Sequence, residues 1–238
     1  MILFYIRHGN PCYNPDSLTP HGKREAEAVC RRLSKFGVDE IHASNSKRAI
    51  ETAEPLSELL HKNIILEPWA NECNTAKYFY LPQEGQKENE WVFKRADFKD
   101  LFTSNEVIAL GKEWYKHPSL LKYNMEEGIK MLDKNIDEFL LSLGYKHDRE
   151  RKRFIAVKPT DKRIALFAHQ GMGLYFFSSI FDIPFHEFCI HFDMVTSGLT
   201  AIEFKNEGGF VYPKIVQFSG DGHLYSENLP TGYDYFRY

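Results

Sequence analysis

The sequence predicts an α/β fold: a three-layer sandwich with a mainly parallel sheet between helices, plus a mostly helical insertion. Three observations carry that expectation. Residues 1–69 alternate strand, helix, strand, helix, strand, which is the pattern of a parallel sheet with helices on its faces. A second apolar run followed by a helix, residues 164–181, repeats the arrangement with which the chain opens. Between the two, from about residue 73 to 145, the alternation gives way to helical spacing rich in aromatic residues.

The elements follow in order. Ile2, Leu3, Phe4, Tyr5 and Ile6 form a strand-like run that ends at once in Arg7-His8-Gly9. Thr19 is a suitable N-cap, and Pro20 suits the first helical position, where its missing N–H costs nothing. Ala26, Val29, Cys30 and Leu33 then recur on one helical face, and Gly37 marks the end of the helix. Residues 38–44 read as a short strand. Ser46 can cap a second helix whose face is Ala49, Ala53, Leu56 and Leu60, with Pro55 predicting a kink or a restart. Residues 63–69 give another short strand and its exit.

In the insertion, about residues 73–125, Tyr78, Phe79, Tyr80, Trp91, Phe93, Phe98, Phe102, Trp114 and Tyr115 are expected to be core more than lid. Residues 126–143 predict a long helix. No Gly/Ser/Pro-rich linker flanks the insertion, so residues 1–238 are expected to form one domain. Residues 154–157 and 164–168 read as strands separated by a turn at Lys158-Pro159-Thr160-Asp161, within a basic hairpin of about residues 146–163. Residues 171–181 should be helical. Residues 199–204 and 210–218 should pair around Asn206-Glu207-Gly208-Gly209.

Composition narrows the function. A hydrophobic content of 43% with 26% charged residues is ordinary for a soluble globular protein. A net charge of -3 argues against a nucleic-acid partner, and the basic stretch 146–163 reads as a solvated hairpin. No apolar run approaches the ~20 residues of a membrane helix, and no signal peptide is apparent. Cys12, Cys30, Cys73 and Cys189 have no metal-like spacing and read as reduced thiols, so the expected location is the cytoplasm. His186, Cys189 and His191 would offer two metal ligands on one face at most, among apolar neighbours. No metal and no cofactor are expected.

The chemistry gathers at strand ends. Arg163 to Gly171, RIALFAHQG, mirrors the opening stretch, each apolar run ending in a histidine and a glycine. If the two strands are parallel neighbours, His8 and His169 arrive at one crevice beyond the carboxyl edge of the sheet. Arg48 falls in the first turn of the second helix, where a cation typically costs ~0.3–1 kcal/mol. A bound anion would reverse that cost, and helix N-termini bind phosphate. Arg7 beside His8 strengthens the anion reading.

These residues form a recognisable set. Arg7-His8-Gly9, Asn14, Leu18-Thr19-x-x-Gly22, Ser44-x-x-x-Arg48-Ala49-x-x-Thr52-Ala53 and His169 resemble the histidine phosphatase superfamily, also called phosphoglycerate-mutase-like. Thr196-Ser197-Gly198-Leu199-Thr200 and Asp221-Gly222-His223-Leu224 look like its closing motifs. The resemblance implies a phosphoric monoester hydrolase acting on a small phosphorylated substrate. His8 would attack phosphorus and form a phosphohistidine. Arg7, Arg48, Asn14 and His169 would hold the phosphate. A glutamate after the third strand would donate the proton; Glu67 and Glu72 both qualify, and Glu72, in the loop, is preferred. Fixed cations would make a metal unnecessary.

Two stretches depart from the mutase pattern: Asn10-Pro11-Cys12, and CNTAKYFY after Glu72. Both favour a phosphatase over a phosphoglycerate-type mutase. The other alternative, a catalytically silent binder of a phosphorylated ligand or protein, is disfavoured because all the core residues of the motifs are present. The physiological substrate and the oligomeric state are not set by the sequence.

Overall fold

The computed structural model describes residues 1–82, 85 and 88–231. The chain opens with β1 (Ile2–Arg7), the hairpin β2 (Pro11–Tyr13) and β3 (Asp16–Leu18), α1 (Pro20–Phe36), β4 (Glu40–Ala43), α2 (Lys47–Leu60) and β5 (Ile64–Leu66). The insertion contributes α3 (Cys73–Phe79), the short pair β6 (Tyr80–Leu81) and β7 (Glu90–Trp91), α4 (Ala96–Phe102) and α5 (Asn105–Leu110), and leads to α6 (Met125–Ser142). There follow β8 (Tyr145–Asp148), β9 (Arg153–Ala156), β10 (Arg163–Ala168), α7 (Gln170–Ile180) and α8 (Phe185–His191). The last elements are β11 (Leu199–Glu203), β12 (Phe210–Val211), β13 (Lys214–Gly220) and α9 (Gly222–Ser226).

The central sheet has six strands in the order β13-β11-β1-β10-β4-β5. β1, β10, β4 and β5 run parallel, and β11, which pairs antiparallel with both β1 and β13, is the one strand of this sheet that runs against the others. Side chains alternate across β1 as a strand requires. Leu3 and Tyr5 enter a cluster with Leu132 and Ile136 of α6 and Phe176 and Phe177 of α7. Phe4 and Ile6 enter the opposite cluster with Val29 and Leu33 of α1 and Ala53 and Leu56 of α2. Helices thus cover both faces, and the predicted three-layer arrangement is the one observed.

Local signals account for most boundaries. Thr19 Oγ1 accepts from Gly22 N at 3.0 Å, and Ser46 Oγ accepts from Ala49 N at 3.4 Å, so both helices carry side-chain N-caps. Gly37, with φ 74°, closes α1. α2 does not restart at Pro55 but runs through it, held by the packing of Ala53 and Leu56 against the sheet.

Two expectations need correction. The basic hairpin is β8–β9, turning at residues 149–152, and the predicted turn at 158–161 instead leads into the central sheet. Two of its basic residues are paired: Arg149 meets Asp133 and Asp137, and Arg153 meets Asp148. Residues 210–218 are not one strand either, because β12 leaves to pair with β9 and only β13 returns to β11.

Most aromatic residues of the insertion are core, while Tyr80 and Tyr115 are only partly buried against it. Tyr78, Phe79, Trp91, Phe93, Phe98, Phe102 and Trp114 are buried in the same cluster as Tyr5 and α7. His186, on α8, lies among them, its ring centroid 5.1 Å from that of Trp114. No group of three or more potential metal-ligating side chains occurs among the described residues, and no helix among them is long and apolar enough to cross a membrane.

Candidate active site

The register of the sheet assembles the site. Arg7 stands opposite Ala168 in the parallel pair β1–β10, so the next residues, His8 and His169, leave the sheet side by side. Their rings lie 5.2 Å apart at 63°. Phe167 stands opposite Ala43 in the neighbouring pair, which brings Ser44 to the same edge. This is the carboxyl edge of the parallel strands, where ligands bind in open α/β sheets.

The loop after β1 is held tightly. A Cβ on Gly9 would stand 2.6 Å from the carbonyl oxygen of Gly22, and one on Gly22 would stand 2.2 Å from that of Asn10. Both motif glycines are therefore required by close approach of two backbones. Gly9 N donates to Thr52 Oγ1 at 3.0 Å, which explains the threonine in the α2 motif. Behind the loop, Ser197 N donates to His8 O at 3.1 Å and Arg7 N donates to Gly198 O at 3.2 Å. The buried Glu25 accepts from Asn10 N and from Thr196 Oγ1.

His8 Nδ1 lies 2.7 Å from the carbonyl oxygen of Gly9. A carbonyl only accepts, so Nδ1 carries the proton and Nε2 keeps its lone pair. Burial, reinforced by the charge of Arg7, pushes the pKa of His8 down to about 3. The ring is neutral near pH 7, with one bare nitrogen.

His169 is oriented by four contacts. Arg48 Nη2 donates to its Nδ1 at 3.1 Å, so Nε2 bears the proton and donates to Ser44 Oγ at 2.9 Å, with Ser46 Oγ at 3.2 Å. Tyr5 Oη donates to the His169 backbone carbonyl at 2.9 Å. Burial, and then the charges of the neighbouring groups, hold its pKa well below the usual histidine range.

The arginines leave donors unused. Arg7 Nη1 donates to Met194 O, and Arg48 Nη1 donates to Asp16 Oδ1 at 2.7 Å. Arg7 Nε and Arg48 Nε are buried and have no acceptor among the described residues. An unpaired buried donor costs about 1–3 kcal/mol, so an oxyanion between the two guanidinium groups would be stabilised.

Of the two candidate glutamates, Glu67 is engaged elsewhere: it meets His42 Nδ1 at 2.8 Å and accepts from Trp69 Nε1 at 2.7 Å. Glu72 accepts from Gly171 N and Met172 N, both at 3.0 Å, at the start of α7. Burial raises its pKa, opposed by those amides and by Arg7 and Arg48. A Cβ on Gly171 would stand 2.9 Å from Glu72 Oε1, so the glycine makes room for the carboxylate.

The structure thus brings together His8, His169, Arg7, Arg48 and Glu72. Asn14 is the predicted member it does not bring in. It is exposed at the turn between β2 and β3, and its side chain makes no hydrogen bond among the described residues. From the same hairpin comes a residue the sequence reading missed. Asp16 accepts from both Arg48 Nη1 and Lys47 N, and thereby supplies part of the negative charge that the start of α2 calls for. Ser44 was visible only as part of a motif, and Glu25 only as a helical residue; nothing local marked either.

The fold sets two histidines, two arginines and a glutamate together at the carboxyl edge of an α/β sheet. Residues 3–110 match the family model of the histidine phosphatase superfamily, branch 1, and the resemblance carried by the motifs is borne out. A curated relative from Hydrogenobacter thermophilus, named "Putative phosphoserine phosphatase 2", is 28% identical over 157 residues, covering 61% of this chain and 68% of its own length. Among solved structures, a mutant phosphoserine phosphatase from Entamoeba histolytica in complex with phosphoserine superposes with a TM-score of 0.60 at 18% identity, over 94% of this chain and 98% of its own. A mycobacterial glucosyl-3-phosphoglycerate phosphatase complexed with VO3 gives 0.57 at 15%, over 91% and 98%. The alpha-ribazole phosphatase of Shigella flexneri gives 0.56 at 17%, over 93% and 97%. The shared fold extends well beyond the segment matched by the family model.

Proposed function

We propose that the protein hydrolyses phosphomonoesters through a phosphohistidine on His8. The observation that carries this reading is the bare Nε2 of a buried, neutral histidine beside two guanidinium groups whose Nε donors lack acceptors. In the first step Nε2 attacks phosphorus in line with the ester oxygen, and the P–O bond to the alcohol breaks. Glu72, protonated, gives its proton to the departing oxygen. Arg7 and Arg48 hold the equatorial oxygens and supply the neutralising charge. The Gly9 carbonyl, accepting from Nδ1, stabilises the positive ring of the intermediate.

In the second step the Glu72 carboxylate takes a proton from water as the water oxygen attacks phosphorus. The N–P bond breaks, its electron pair returns to Nε2, and inorganic phosphate leaves. Each group is restored. The phosphatase names of the relatives support hydrolysis over transfer to a second substrate position.

The test is phosphate release from a panel of phosphomonoesters, phosphoserine included, in the presence of a chelator, with His8→Ala as control. Release by the wild type alone supports the reading. An isomerised phosphate ester in place of free phosphate would make the protein a mutase, and binding without turnover would make it a silent member. Release that survives His8→Ala would remove His8 from the nucleophile's role.

A further inference from the structure

If His8 attacks in line, the leaving alcohol must sit on the far side of phosphorus, beside Glu72. What lines that side comes from the insertion and the short hairpin. Trp91 stands next to Glu72, its Cη2 3.1 Å from the place a Cβ on Gly171 would take. Tyr80 packs on Trp91 with ring centroids 5.2 Å apart and is partly exposed. At the Arg48 side of the site, the ring of Tyr13 on the β2–β3 hairpin lies 5.5 Å from the guanidinium carbon and is 70% exposed.

Building on the phosphomonoesterase reading, we propose that Tyr80 and Tyr13 form an aromatic cleft that selects phosphomonoesters whose alcohol carries a flat ring. Two ring faces at the mouth favour a planar group by offset or edge-on packing. A carboxylate-bearing alcohol of serine or glycerate size would find no such advantage. It would set its anion near Glu72, while Arg7 and Arg48 are occupied by the phosphate. The charges acting on the phenol of Tyr80 agree with this placement. Burial, then Glu72 and Tyr13, push its pKa up to about 12, and Arg7 opposes them. The phenol is therefore neutral at working pH and presents a ring rather than an anion to the alcohol.

Benzyl phosphate and ethyl phosphate separate recognition from leaving-group chemistry, because both release an alkyl alcohol of nearly equal basicity. Their affinities, with that of phosphoserine, are to be measured by calorimetry on the His8→Ala protein, which retains esters intact. Benzyl phosphate should bind about tenfold more tightly than ethyl phosphate and more tightly than phosphoserine. Tyr13→Ser, on the surface, and Tyr80→Leu should each lower the benzyl-to-ethyl ratio several-fold. Equal affinities, a preference for phosphoserine, or a ratio unmoved by both substitutions would overturn the cleft. Turnover of the same esters by the wild type is a separate readout, so failure of hydrolysis is distinguishable from failure of ring selection.

Discussion

Arg48 Nη2 donates to His169 Nδ1 at 3.1 Å, and this one bond fixes the tautomer of the histidine. A guanidinium has no lone pair to offer, so the imidazole proton must be on Nε2, aimed at Ser44. His8 has the opposite tautomer, with its proton on Nδ1. Of the two rings, His8 therefore presents a bare nitrogen while that of His169 is taken by Arg48, and charge on either would face Arg7 and Arg48.

Neither ring should titrate in the ordinary histidine range. Burial and the arginines depress both pKa values, to about 3 for His8. Ring C–H resonances of His8 and His169 should thus stay constant between pH 5 and 8, where a solvated histidine moves. NMR titration of the free protein checks this. A midpoint near 6.5 for His8 would mean that the ring is solvated and that its tautomer is not fixed by Gly9.

On the proposed mechanism Glu72 is the acid: burial raises its pKa, against the pull of two amides of α7 that hold the carboxyl in place. Glu72→Gln keeps the shape and an acceptor for one of those amides but cannot transfer a proton. Turnover of alkyl phosphates should fall about 100-fold or more, the usual weight of general acid catalysis, while formation of phosphohistidine from aryl phosphates should fall far less. Burst-phase kinetics on nitrophenyl phosphate and steady-state rates on an alkyl ester make the comparison. Equal losses on both would remove Glu72 from the acid's role.

Asp16 links the hairpin to Arg48 and the start of α2. Its carboxylate holds Arg48 Nη1 at 2.7 Å and caps Lys47 N at 2.9 Å. Without it Arg48 keeps only the contact with His169 and loses its alignment. Asp16→Ala should lower kcat/KM about tenfold, equivalent to ~1.4 kcal/mol, and Asp16→Asn, which still accepts, should recover most of that loss. A tighter affinity of Asp16→Ala for inorganic phosphate would show instead that the carboxylate competes with the ligand for Arg48.

The convergence of His8 and His169 was legible because both strands announce it locally, with an apolar run that ends in a histidine. Arg48 was legible as a cation in the wrong turn of a helix. The partner that partly resolves that conflict, Asp16, lies 32 positions away in sequence on a hairpin too short to show alternation. The same hairpin turns Asn14 outward, which its six-residue spacing from His8 cannot reveal. β8 was hidden for a related reason. Lys146, His147 and Asp148 look solvated, yet His147 is buried between Asp137, at 3.0 Å, and Asp182, at 3.1 Å, and both partners come from other elements. Long-range ion pairs turn charged residues into interior ones, and no local pattern records them.

His186 shows what a buried polar group does when no such partner exists. Both ring nitrogens lack hydrogen bonds among the described residues, and the carboxylate of Glu187 stands 3.9 Å away and is exposed. Phe102 and Trp114 surround the ring at 5.8 and 5.1 Å. Burial lowers its pKa to about 4, so below pH 6.5 the unfolded chain takes up a proton that the folded one refuses. Stability is therefore lost as pH falls from 6.5 toward 4, by about 1.4 kcal/mol per pH unit for this group. His223, also lowered to about 4, adds in the same direction and remains when His186 is replaced. His186→Phe keeps the volume, removes two unsatisfied nitrogens and takes away one proton-uptake site. The variant should melt at a higher temperature than the wild type at pH 7, and the gap should widen at pH 5. Thermal melts at the two pH values decide it: a gap that stays constant would mean that His186 is not held neutral by the core, and a lower melting temperature at both would mean that the ring nitrogens are satisfied.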